Sequence, residues 1–162
     1  MTEETERLTP AELLQTAERL FDQGDPNMYR AAILEAITAL EAHVFARAFP
    51  ALRAKLDEEL TDWLEEKTRM DFDTRIGLFL PLATGLRVNK KDKIWQDYKK
   101  AKDIRNKVTH SGKKVTRQQA RDVIDTVYEW MEYINQAQEA QVPKEDRSGK
   151  QADVLGLSLI HI

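Results

Sequence analysis

The sequence predicts an all-α protein, a helical bundle of about five main helices. Three observations carry that reading. Helix-start signals stand at Thr9-Pro10-Ala11-Glu12 and Thr116-Arg117-Gln118-Gln119, and Asp25-Pro26 repeats the pattern of cap then proline. Apolar residues recur three and four apart over long stretches. No strand-like alternation competes with them, and no internal repeat is present.

The first helix begins at the Thr9 cap with Pro10 in its first position. Leu8 and Leu13 are spaced to staple its entry. Leu13, Ala17, Leu20 and Phe21 mark its buried side, and Gly24 stops it. The second helix runs from about Pro26 to Phe49. Ala31, Ala32, Ile33, Leu34, Ala36, Ile37, Ala39, Leu40, Val44, Phe45 and Ala48 cover most of its circumference. A helix that is apolar nearly all round is a central one. Its few polar side chains, Arg30, Glu35, Thr38, Glu41 and His43, therefore need partners.

Pro50 is expected to break the chain. Ala51 to Lys67 then reads as a third helix with Leu52, Leu56, Leu60, Trp63 and Leu64 inward. Met70 to Leu80 is a shorter helical segment ended near Pro81, and Ala83-Thr84-Gly85-Leu86 is a loop. A basic helix follows from about Lys91 to Ser111. The last helix buries Ala120, Val123, Ile124, Val127, Trp130, Met131 and Ile134. Beyond Gln138 the composition turns polar, from Pro143 to Gly149, and reads as a disordered tail. Leu155 to Ile162 is abruptly apolar, without cap or amphipathic order. It could serve as a docking peptide, but it reads better as a non-native read-through scar. The folded domain is thus residues 9–138, between an N-terminal tail (1–8) and a C-terminal tail (139–162).

The length suits one domain plus tails, and residues up to Gln141 suffice for a real helical core. With 33% charged and 41% hydrophobic residues, the chain has the composition of a soluble, helix-rich protein. It holds no cysteine, which excludes a disulfide framework and a thiolate zinc site. No run is long enough to span a membrane, and Met1 to Glu6 is acidic and polar rather than signal-like. A cytoplasmic protein without a membrane partner is the expectation.

Charge is unevenly spread. Between Arg87 and Arg117 stand twelve Lys/Arg and three Asp/Glu, a local balance of +9. The net charge is −3, so the remainder carries −3 − 9 = −12. One surface is therefore attractive to polyanions while the whole stays acidic. The same pattern also fits a solvated lysine-rich helix face.

The basic helix ends in Arg105-Asn106-Lys107-Val108-Thr109-His110, closed by Ser111-Gly112. Projected at about 100° per residue, Ile94, Tyr98, Ala101 and Val108 form one stripe, a core or two-fold interface surface, with Arg105 in its middle. A guanidinium there is costly unless it is paired or does work. Either Glu35 or Glu41 is placed on the central helix to neutralise it. Asn106 and His110 share a flanking face. His110 sits in the last turn, where the helix dipole favours imidazolium, and Gly112 is the natural cap. A histidine capping carbonyls beside a structural arginine would give the same spacing.

The spacing, the basic helix and the greasy central helix together resemble the HEPN family, helical bundles marked by Arg, commonly a polar residue next, and His after four to six intervening positions. Here that motif is Arg105-Asn106-…-His110, on the second-last helix as the family expects. The resemblance covers roughly Asp25 to Ala137, and the run through Ser111-Gly112 to Val115 is similar to the branch found in bacterial defence and stress proteins. It implies a homodimer that brings two motifs together for metal-independent RNA cleavage without a cofactor. It leaves room for an inhibitory or activating protein partner. Some members only bind RNA or nucleotides.

The residue chemistry is consistent with that implication. Cleavage of RNA without metal needs a base for the 2′-OH proton, an acid for the leaving 5′-oxygen and a cation for the phosphate. One His110 per chain does not readily serve both transfers; two, in a dimer, would. Arg105 offers a planar, always-charged fork for phosphate oxygens. Asn106 would position the 2′-OH or the imidazole. Lys99, Lys102, Lys107, Lys113 and Lys114 would bind flanking phosphates.

The other histidines read differently. His43 is expected to be a satisfied core or interface histidine, and His161 belongs to the apolar tail. No histidine–carboxylate cluster has metal-ligand spacing, and no glycine-rich phosphate loop or serine-nucleophile motif is present. Trp95 and Tyr98 have the spacing of core residues, although aromatics can also stack on bases. Two rival readings stand beside the ribonuclease: an RNA- or nucleotide-binding module of the same fold, and a helical interaction or antitoxin-like protein.

Overall fold

In the computed structural model, which describes residues 7–67 and 71–141, every regular element is helical. The readings of residues 1–6, of Met70 and of the tail from residue 142 lie outside the described residues. The fold is an all-α bundle, as the capping and periodicity require.

Helix α1 (Pro10–Asp22) starts on a complete capping box. Thr9 Oγ1 accepts from the Glu12 N–H at 3.2 Å, and the Glu12 carboxylate accepts from the Thr9 N–H at 2.8 Å. Leu13, Leu14, Ala17 and Phe21 are buried, but Leu8 stays exposed, so the expected staple with Leu13 does not cover it. Gly24, at φ +72°, turns the chain in a backbone region that favours glycine.

Helix α2 (Pro26–Arg53) is the central one. Ala32, Ile33, Ala36, Ala39, Leu40 and Val44 are all essentially buried, because the helix packs on several others at once. It does not stop at Pro50. Ala48, Phe49 and Leu52 bury against Ala83, while Pro50 lies on the exposed side, so packing carries the helix past the missing N–H. The chain leaves the helix after Arg53, and Asp57 restarts it by accepting from the Leu60 N–H at 2.7 Å. Helix α3 (Glu58–Lys67) is therefore shorter than the sequence suggests. Leu60 and Trp63 are exposed rather than inward, because the face containing Thr61 is the one that packs.

Next comes a broken helix: α4 (Phe72–Thr74), a π-helical turn (Arg75–Phe79) and α5 (Leu80–Thr84). It runs through Pro81 instead of ending there, and Ala83 and Leu86 are buried. The wider π turn replaces the regular α ladder just before the proline, with the Leu80 N–H donating to the Arg75 carbonyl five residues back.

Helix α6 (Lys93–Ser111) and helix α7 (Arg117–Gln141) close the bundle. Thr116 and Gln119 form the second capping box. Trp130 is fully buried, and its Nε1 donates to the Ile94 carbonyl at 3.0 Å, which ties α7 to the start of α6. Its ring also meets those of Trp95 and Tyr98. These aromatics belong to the core, as their spacing predicts. Helix α7 continues to Gln141, past the expected domain end at residue 138.

Candidate functional site

Helix α6 places the basic motif. Tyr98, Ala101 and Val108 are buried and Ile94 is partly buried, so their stripe belongs to the protomer's own core. Of the two places the sequence allows for this stripe, core or at or next to a two-fold interface, the protomer fills the first: Trp130 of α7 and the flank of α2 cover it. Arg105 escapes this burial. It is partly buried and lines a cleft of about 300 Å³ between α2, the α4–π segment and α6.

The cleft has an apolar floor, Ile37, Leu40 and Phe72, and a charged rim, Glu41, Asp71, Arg75, Lys102 and Arg105. Its frame is built from hydrogen bonds. The Tyr98 hydroxyl donates to Asp73 Oδ1 and Lys102 Nζ donates to Asp73 Oδ2, both at 2.8 Å. Burial first, then the Asp73 carboxylate, raises the Tyr98 pKa, so its hydroxyl stays a donor. Asp71 caps the next turn by accepting from the Thr74 N–H at 2.7 Å, and the side-chain and backbone bonds from Thr74 hold its carboxyl below the ordinary range.

Arg75 Nε is shielded from solvent without a hydrogen-bond partner. Of the two carboxylates considered for Arg105, Glu41 lines the cleft and Glu35 does not. Among the described residues, however, no ion pair joins Arg105 or Arg75 to any carboxylate.

The motif's other members spread outward from the cleft. Asn106 is partly buried and His110 is exposed in the last turn; neither lines the cleft. Gly112 ends the helix at φ +60°, as its cap position predicts. The Thr109 hydroxyl donates to the Arg105 carbonyl at 3.0 Å. Lys99, Lys107, Lys113 and Lys114 are exposed, whereas Lys102 is held by Asp73. One protomer thus displays Arg105 and His110 on different faces of α6.

Arg75 carries no sequence signal that links it to the motif. It lies on a different element from the motif, and the packing of α4 against α6 brings it to the same cleft as Arg105. His43 is buried, with Nε2 lacking a partner. Burial first, then Arg47, lowers its pKa, and Asn135 opposes them. It is a core histidine, as the sequence suggests, but not a fully satisfied one.

Among the described residues, no group of three or more His, Cys, Asp or Glu side chains is arranged to hold a metal ion. No described helix is long and apolar enough to cross a membrane. Comparison with protein-family models, curated proteins and solved structures finds no match to this chain.

Proposed function

We propose that the chain is a metal-independent endoribonuclease of the HEPN type that works as a homodimer. The observation that carries this reading is Arg105: a guanidinium without an ion-pair partner, partly buried in a cleft, on the helix whose last turn exposes His110. In the reaction, one His110 imidazole takes the proton of a ribose 2′-hydroxyl, and the 2′-oxygen attacks the adjacent phosphorus. Arg105 stabilises the charge that builds on the phosphate oxygens. The P–O5′ bond breaks, and a second His110, protonated, gives its proton to the leaving 5′-oxygen. The products are a 2′,3′-cyclic phosphate and a 5′-hydroxyl. The reaction needs two imidazoles at one phosphate and each chain supplies one motif histidine, so two copies must pair with their His110 side chains together. Incubating the purified protein with single-stranded RNA in EDTA tests this: cleavage that His110→Ala abolishes supports it.

The separation of Arg105 from His110 favours a second reading, a module that binds RNA in the cleft without cutting it. Steeply salt-dependent binding with no cleavage under any condition would decide for that reading.

A further inference from the structure

We infer that Arg75 is a phosphate-binding residue that works with Arg105, making the cleft between α2, the π turn and α6 a site for a phosphate group of a single RNA strand. The choice of RNA as the source of that phosphate rests on the function proposed above; the pairing of the two guanidiniums does not.

The charges of the cleft support the assignment. Asp71 is committed to Thr74, and Asp73 is committed to both Tyr98 and Lys102. Lys102 is thereby neutralised. Glu41 and Asp71 are the carboxylates on the rim, both charged, and neither forms an ion pair with either arginine. Two guanidiniums therefore face one space with no counter-charge in contact. An anion in the cleft would give both guanidiniums the counter-charge they lack, and phosphate suits them, because a guanidinium donates two parallel hydrogen bonds to neighbouring phosphate oxygens.

The position of Arg75 has a structural origin. It opens the π-helical turn, whose extra residue re-aims side chains relative to a regular helix, and such turns recur at functional sites. The Tyr98–Asp73–Lys102 network ties the α4 segment that precedes Arg75 to α6, so the site exists before any ligand arrives. The volume of about 300 Å³ accommodates a phosphate with its sugar, and Phe72 and Leu40 give the sugar an apolar wall.

The test uses the full chain and a single-stranded oligonucleotide with 2′-O-methyl groups throughout. This probe cannot be cleaved, so the result is independent of catalysis. Arg75→Gln should weaken binding about tenfold and reduce the salt slope by about one unit. Glu41→Gln should tighten binding a few-fold, by removing the carboxylate that opposes the phosphate. Arg19→Gln, on the exposed side of α1, should leave binding unchanged. Thermal melting checks folding. If Arg75→Gln is unstable, Arg75→Lys reads the same contact, because it keeps the charge and loses the fork. Inorganic phosphate is the second probe. If it binds through Arg75 while the oligonucleotide does not bind, the pocket stands and the RNA reading fails. If neither probe binds, or if folded Arg75→Gln binds both as wild type does, the inference is overturned.

Discussion

The Arg30 guanidinium donates a 3.1 Å hydrogen bond to the Val108 carbonyl, and through it the central helix holds the last turn of α6. Val108 lies between Arg105 and His110 and is buried, so this bond fixes the backbone that carries both. Arg30 is a positioning residue in this reading. Arg30→Met, which keeps an apolar stem, should cost about 1–2 kcal/mol of stability in denaturant melts. It should lower RNA cleavage more than RNA binding, and Arg30→Lys should recover part of that loss.

The exposed lysines after the helix should contribute affinity rather than chemistry. Lys113→Ala and Lys114→Ala should each weaken RNA binding and flatten its dependence on log salt by about one unit per lost phosphate contact. Titrations at several salt concentrations read this directly. A drop in the cleavage rate at saturating RNA would place these lysines in the reaction instead.

Much of the fold was legible because local chemistry announces it. Thr9 with Glu12 and Thr116 with Gln119 form the boxes their spacing predicts. The apolar circumference of α2 marks it as central, and Gly112 caps α6. The errors arise where tertiary burial outweighs a local signal. Pro50 and Pro81 sit inside helices because neighbours such as Phe49, Leu52 and Ala83 are buried there. In the site, the helical projection correctly put Arg105 among buried residues but could not tell core from interface. Nor could it find Arg75, because the π turn has no periodicity signature and its partner is distant in sequence.

His43 should make stability fall on mild acidification. Burial and the nearby Arg47 lower its pKa below the ordinary value of 6.5 in the folded chain. As pH drops through 6.5, the unfolded chain takes up a proton that the folded chain refuses, so stability declines until the folded pKa is reached. Glu18, held low chiefly by its hydrogen bond from Arg121, works in a separate and lower window, losing its contribution as pH falls below 4.5. Melts between about pH 7 and pH 5 should show a loss in wild type that is smaller in His43→Leu. Equal slopes would remove His43 as the cause.

The proposed mechanism requires association, because each chain supplies a single motif histidine. Light scattering at micromolar concentration should give a dimer, and the interface should lie near the exposed His110 end of α6 rather than on the buried Tyr98–Val108 stripe. A stable monomer that still cleaves RNA would rule out a shared site.

The most direct test is the identity of the RNA ends produced in EDTA. Wild-type protein should leave a 2′,3′-cyclic phosphate, or the monophosphate from its hydrolysis, opposite a 5′-hydroxyl. His110→Ala should yield no such ends while keeping its helical circular dichroism and most of its RNA affinity, because an exposed last-turn side chain contributes little to the core. Cleavage that persists unchanged in His110→Ala, or a wild-type protein that never cuts RNA, would contradict the proposed ribonuclease.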